Sequence, residues 1–176
     1  TMQKLTMYEL NRLSVEEFKQ TGKIQVVCIL DNIRSQHNTG SVFRTADAFG
    51  IQEVCLCGIT ATPPSREIQK TALGATESVK WSYFGSTIEA INHYKELGFK
   101  IIAIEQVKGS ISLEDFHPHA SEKLALIFGN EVSGVGEGAL ELCDSAIEIP
   151  QFGTKHSFNI SVTAGIVLWQ ISNFLK

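Results

Sequence analysis

Three stretches concentrate side chains able to do chemistry, and each of them borders an apolar run. In "DNIRSQHNTGSVFRTADAFG" (31–50), Asn38, Gly40 and Arg44 accompany an amphipathic pattern. "LIFGNEVSGVGEGAL" (126–140) starts as a buried strand and breaks into glycines around one carboxylate, Glu131. In "IEIPQFGTKHSFNISVTAGI" (147–166), Ser157, Asn159, Ser161 and Thr163 alternate with apolar residues and lead into an otherwise apolar helix. A glycine leaving a buried strand permits close backbone approach to a ligand. Glu131 can then fix Asn38 or Arg44, or accept hydrogen bonds from ligand hydroxyls. Ordinary alternatives exist for each stretch: a helix cap, a solvated arginine, a turn with a surface glutamate. A nicotinamide oxidoreductase is disfavoured. Its G-x-G-x-x-G fingerprint belongs in the first strand-to-helix turn, whereas "CILDNIRSQHNTG" has no such cluster and Gly134, Gly136 and Gly138 alternate late in the chain.

The elements that must position these residues show in the periodicity. Short apolar runs recur at "QVVCIL" (25–30), "EVCLCG" (53–58), "SVKWSYF" (78–84), "KIIAI" (100–104), "LALIF" (124–128) and "AIEI" (146–149). Helix-like stretches separate them, and this alternation predicts an α/β fold, a mostly parallel sheet flanked by helices. Residues 41–49 carry apolar side chains at 42, 43, 46 and 49 and stop at Gly50, the pattern of an amphipathic helix with a glycine C-terminus. Asn38 and Gly40 are expected in the turn before that helix, and Arg44 on its side away from Val42, Phe43 and Ala46. Ser86 and Glu89 have the spacing of a capping box for "TIEAINHYKEL", which Gly98 ends. Residues 1–24 are expected to form a short helical segment ahead of one domain over 25–176, with "TATPPSRE" (60–67) as a proline-marked loop.

A net charge of −4 over 176 residues argues against a broadly basic surface but leaves local Lys/Arg clusters free to meet an anion. Residues 1–80 hold nine Lys/Arg against eight Asp/Glu, and the remainder six against eleven, so an anionic partner is expected at the first half. Cys28, Cys55, Cys57 and Cys143 form no C-x-x-C pair and are expected as reduced core thiols. His117 and His119 in "DFHPHA" suit a solvated loop, so no metal is expected. No run approaches the ~20 apolar residues of a membrane span, and the opening segment lacks a signal-peptide core. A cytoplasmic protein without a membrane partner is expected. From Ile160 to Leu175 apolar residues surround the helix on nearly every side, which calls for a second cover.

In order and spacing, the three stretches resemble the motifs of the SpoU/TrmH class of the SPOUT superfamily, RNA 2′-O-ribose methyltransferases that use S-adenosylmethionine. The likeness starts near Gln25, and "KTALGATESVKW" (70–81) is similar to the family's stretch after its second strand. The resemblance implies a C-terminal trefoil knot, which no periodicity reveals and which is otherwise rare. It further implies a bent cofactor held in the knot, a homodimer whose interface completes the site, and methyl transfer to a ribose 2′-hydroxyl of tRNA or rRNA. The alternative is a catalytically silent RNA-binding protein of the same fold. By the resemblance, Arg44 meets the 2′-hydroxyl as an orienting donor or as a general base, Asn38 supports it, and Glu131, Ser157 and Asn159 complete the catalytic set. Ile104, Gly129, Asn130, Ile149, Ser157 and Phe158 are expected to hold the cofactor. Phe158 stands where relatives often carry leucine, a change of packing more than of chemistry. His156 beside Ser157 invites a general-base role. Arg34, Arg44, Arg66, Lys70 and Lys155 are the candidate RNA contacts, each a plain surface charge otherwise. Which RNA and which nucleotide is a matter of surface shape.

Overall fold

A strand run buried on both faces is apolar, and the centre of β1 (Ile24–Asp31) meets that condition, with Val26 to Leu30 wholly buried. The computed structural model describes residues 1–176. On one side of β1 lie β2 (Ile51–Cys57) and β3 (Trp81–Phe84). On the other lie β6 (Leu124–Phe128), β4 (Lys100–Ile104), β7 (Ser145–Glu148) and the two-residue β5 (Ile111–Ser112). Every pairing is parallel, in the order β3-β2-β1-β6-β4-β7-β5.

Successive strand residues face opposite layers. Val26, Cys28 and Leu30 point to the layer of α2 (Gln36–Phe49), α3 (Arg66–Ala72), α4 (Ala75–Ser78) and α7 (Ile160–Leu175). Val27 and Ile29 point to α5 (Thr87–Glu96) and α6 (Glu137–Leu140). The expected parallel sheet between helical layers is therefore present. Ahead of it, α1 (Val15–Gln20) carries a Ser14–Glu17 capping box but buries no residue, so only a quarter or so of the segment 1–24 is helical.

Local expectations hold unevenly. Gly50 ends α2 and Gly98 follows α5 in left-handed conformations, φ 64° and 84°, as glycine permits. Ser86 caps α5 by accepting the Glu89 amide at 3.2 Å, but the return bond of a capping box is not made. The run "SVKWSYF" pairs only from Trp81, because the Ser78 hydroxyl donates to Asp47 at 2.5 Å and is held in the helical layer. The larger difference is at α2, which starts at Gln36, so Asn38 and Gly40 are helical and not in a preceding turn. Ser35 supplies the cap, its hydroxyl accepting the Asn38 amide at 3.1 Å. Gly40 is kept by packing: a Cβ there would stand 2.2 Å from both the Ile68 carbonyl and the Thr71 hydroxyl of α3. Cys28, Cys55 and Cys57 are buried and Cys143 half-buried, all as free thiols. Burial pushes the Cys28 thiol up to about 12, which keeps it unreactive.

Gly40→Ala should therefore part α2 from α3 despite alanine's better helix propensity. A loss of roughly 1–3 kcal/mol is expected from overpacking, read as a lower urea midpoint at constant slope. Gly22→Ala, with nothing within 4 Å of its new methyl, is the control expected to leave the midpoint in place.

Candidate active site

Chain connections reverse between β1 and β6: from β1 the chain proceeds to β2 and β3, while the later strands fill the other side. In open parallel sheets, ligand crevices form outside the strand C-termini at such a point. Here the turn after β1 meets the loop after β6. Asn130 and Gly134 exchange backbone hydrogen bonds of 2.9 Å across that loop. Gly129 is required by the loop itself, since a Cβ would lie 2.3 Å from the Gly134 carbonyl carbon. Gly134 adopts φ 70°, and a Cβ there would strike the Glu105 carboxylate. Gly136 and Gly138 meet no such restriction.

Two side chains from outside the loop, and Asn130 from within it, pin it. Asp31 accepts the Gly136 amide at 2.9 Å on one oxygen and the Thr87 hydroxyl at 2.6 Å on the other. Glu105 accepts the Val135 amide at 3.0 Å. The Asn130 amide donates to the carbonyl of Asn32, a residue in left-handed conformation whose own side chain accepts the Ile59 amide at 3.0 Å. Glu131 does not reach for Arg44. Its two oxygens accept the Arg34 and Ser35 amides, each at 3.1 Å, and so grip the chain at the α2 cap. Partial burial works against its ionisation, but the amides of Ser35, of Glu131 itself and of Arg34, with the Asn38 side chain, outweigh it and hold the carboxyl below the usual range.

The third stretch arrives through α7. Asn159 is its N-cap, with Oδ1 accepting the Ser161 amide at 2.8 Å while Nδ2 donates to Asn38 Oδ1 at 3.3 Å. The first and third stretches thus touch through one amide pair. Beside it opens a cleft of about 730 Å³, within the size range of small-molecule sites. Ile104, Phe128, Ile147 and Ile149 form its apolar wall, and Gly129, Asn130 and Glu131 its floor turn. His156, Ser157, Phe158 and Asn159 close it from the α7 side.

Every residue expected to hold the cofactor therefore lines one cleft, joined by Glu131 and Asn159. Asn38 does not line the cleft itself but reaches its rim through Asn159 and through Glu131. Arg44 is exposed on α2, lines no part of this cleft and forms no ion pair within the chain. Arg34, Arg66 and Lys155 are exposed, and Lys70 pairs with Glu67 at 2.9 Å. Asp31, Asn32, Thr87 and Glu105 were not among the expected site residues. Asp31 and Glu105 carried a signal, an acid directly after a buried apolar strand, which demands donors nearby. Thr87 carried none, because its partner is 56 positions away.

Residues 25–169 match the SpoU rRNA Methylase family. A 23S rRNA (guanosine-2′-O-)-methyltransferase, RlmB, of Neisseria meningitidis is 34% identical over 143 residues, covering 81% of this chain and 56% of that one. A tRNA (guanosine(18)-2′-O)-methyltransferase of Thermus thermophilus is 31% identical over 165 residues, covering 92% and 81%. The chain thus spans little more than half the length of the Neisseria relative. Among solved structures, the TrmH/SpoU tRNA modifying enzyme of A. aeolicus superposes with a TM-score of 0.79 at 24% identity, covering 90% of this chain and 79% of that one. An AdoMet-bound rRNA methyltransferase of Sinorhizobium meliloti superposes at 0.78 with 25% identity, covering 87% and 58%. With the match running from the second residue of β1 well into α7, the chain belongs to the SpoU rRNA Methylase family.

Proposed function

We propose that this protein transfers a methyl group from S-adenosylmethionine to a ribose 2′-hydroxyl of a structured RNA, tRNA or rRNA. The observation that carries the reading is the Asn38–Asn159 contact at the rim of the cleft, which joins two stretches 121 positions apart. It agrees with the activities for which the Neisseria and Thermus relatives are named.

S-adenosylmethionine suits the residues present. Ile104, Ile147 and Ile149 offer an apolar wall to an adenine ring, and the turn at Gly129 and Asn130 offers backbone groups to its polar edges. Ser157 and Phe158 would close over it. When bound, the group would supply an electrophilic methyl carbon on a sulfonium, with the thioether as leaving group and the ribose hydroxyl's proton released to solvent. The chain's own part is positioning and charge. A guanidinium keeps its proton in proteins, so Arg44 serves as a donor to the ribose oxygen and offsets the charge that develops there. Asn38 and Asn159 orient the approach, and Glu131 fixes the cap from which α2 projects both Asn38 and Arg44. Arg34, Arg66, Lys70 and Lys155 meet phosphates.

We further infer a homodimer. Val162, Gly165, Ile166 and Trp169 form one stripe of α7 at i, i+3, i+4 and i+7 spacing, with Trp169 57% exposed. The stripe borders a shallow groove with Leu113, Ile149 and Pro150. Phe174 is half-buried against His117, so Trp169 is the residue that faces outward. Arg44, outside its own cleft, accords with a site completed by a second copy. A trefoil knot is supported by α7, which follows the loop after β7 yet packs back on α2 and β1 at the other end of the chain. Residues 25–176 then act as the methyltransferase domain, with 1–24 appended. No helix is long and apolar enough to cross a membrane, and the proposed place of action is the cytoplasm.

Arg44→Ala should lower turnover by ~10²-fold or more, the scale of a lost charge-stabilising donor, while calorimetry shows cofactor affinity little changed. Lost cofactor binding in a folded variant would remove Arg44 from the ribose. Glu131 supplies a pH test. Because its folded carboxyl titrates below the ordinary 4.5, its grip on Arg34 and Ser35 is fully present above that value and disappears as pH falls through the lowered one. The stability gap between wild type and Glu131→Gln, followed by chemical denaturation, should be constant near neutrality and close in acid. Trp169→Glu should halve the mass seen by light scattering at micromolar concentration and abolish methyl transfer. A fully active wild-type monomer would end the dimer reading.

A further inference from the structure

Glu67, on α3, makes two contacts that the proposed reaction does not use. Its Oε2 accepts from His37 Nε2 at 2.7 Å, and its Oε1 lies 2.9 Å from Lys70 Nζ. His37 directly precedes Asn38, the residue bonded to Asn159 at the cleft rim. The two helices are locked at this point by the Gly40 contact and by the Thr71 hydroxyl, which donates to the His37 carbonyl at 2.6 Å. The positions of His37 and Lys70 are therefore fixed relative to the site by packing, and the carboxylate then aims both side chains at one spot.

The turn before α2, α2 itself and α3 carry four Arg/Lys against two Asp/Glu, in a chain of net charge −4. Arg34, Arg44 and Arg66 are exposed and take part in none of the chain's ion pairs. The other acid of α2 and α3, Asp47, accepts from Ser78 of α4 instead. Glu67 is thus the one carboxylate of α2 and α3 that pairs with a cation, while Glu131 stands at the α2 cap on the amides of Arg34 and Ser35. It differs in kind from the carboxylates that hold the fold. Asp31 and Glu53 are each 4% exposed, whereas the Glu67 side chain is 44% exposed and its partners 55% and 51%. Exposed pairs of this sort contribute little to stability, so their partners can be exchanged at small cost. A phosphodiester brings a like charge on two unesterified oxygens, and so can accept from both His37 and Lys70 as the carboxylate does.

We propose that Glu67 is an internal stand-in for an RNA phosphate: it keeps His37 and Lys70 aimed at one point of the α2–α3 ridge, and the backbone of bound RNA takes its place there. This rests on reading the chain as an RNA methyltransferase, and it assigns the ridge as the point where the phosphodiester next to the target ribose docks. Phosphate contacts set register without reading sequence, so the effect shows with any structured RNA.

The test is fluorescence anisotropy with a labelled, unmodified tRNA transcript, using Glu67→Gln, Lys70→Ala and wild type at 50 to 200 mM salt. Glu67→Gln is expected to bind roughly three- to tenfold more tightly at low salt, with the gap closing as salt screens the charge. Lys70→Ala is expected to bind more weakly, with a salt slope shallower by roughly 0.7 to 0.9. Both sites are on the surface, and thermal melts confirm that the variants are folded. Glu67→Gln binding equal to or weaker than wild type overturns the proposal, as does Lys70→Ala binding like wild type. If wild type methylates RNA and the variants bind as it does, only the stand-in role fails. If wild type neither binds the transcript nor methylates any RNA, the RNA reading fails and takes this proposal with it.

Discussion

Asp31 closes β1 at the point where the sheet's connections reverse, and it is 4% exposed. A carboxylate in that position is tolerated only if its oxygens are satisfied. One takes the Gly136 amide, the other the Thr87 hydroxyl and the Asn32 side-chain amide at 3.1 Å. Those three donors belong to the loop after β6, the start of α5 and the turn after β1. The packing requirement of one buried charge thereby fixes the relative positions of the elements that frame the cleft. Breaking a buried, hydrogen-bonded charge costs about 3–5 kcal/mol, against a total of about 5–15 kcal/mol for a domain of ordinary stability. The turn chemistry of Gly129 to Gly136 hangs on this anchor, with Glu105 and Glu131 as lateral ties.

The cleft is asymmetric as a result. Its floor and β4–β6 wall are strand ends and a pinned turn, with Ile104, Phe128 and Ile147 buried. The α7 side is different: residues 152–159 are exposed throughout, and neither His156 nor Ser157 is tied to a neighbour until Asn159 caps the helix. Segments with few buried contacts open at low free energy. A ligand entering such a cleft meets one preformed wall and one that it must help to order, and Phe158, 40% exposed, is the aromatic side chain of that segment that already lines the cleft.

Much of this was legible in the amino-acid order, for a physical reason. Strands buried on both faces are long apolar runs, and "KIIAI" and "LALIF" coincide with β4 and β6 residue for residue. Glycine stops depend on local backbone angles and were equally visible at Gly50 and Gly98. The start of α2 was not, because Gly40 weakens a helix locally and is retained only since α3 lies against it. The set of cleft residues followed from family resemblance, while their partners did not. Glu131 gripping Arg34 and Ser35, Asp31 meeting Thr87, and Asn38 meeting Asn159 are contacts between positions 56 to 121 apart. No window of sequence contains such a pair. Two short α-helical pieces between β2 and β3 escaped for the opposite reason, being too brief for a period to develop.

A single helix connects the chemistry to assembly. α7 is apolar on nearly all sides, and its own chain covers Ile160, Ala164, Val167, Leu168 and Ile171. What stays open is the stripe from Val162 to Trp169, beginning three residues after the N-cap Asn159. A rigid helix transmits displacement along its length, so a cover seated on the stripe bears directly on the turn that holds Asn159 against Asn38. The tilt of Trp169 toward Phe49, with ring centroids 6.0 Å apart, extends the same body into the end of α2. α2 and α7 thus behave as one unit, clamped at the cap by Asn38–Asn159 and at the far end by Phe49–Trp169. Arg44 sits between those clamps on α2, exposed and free of any ion pair within the chain.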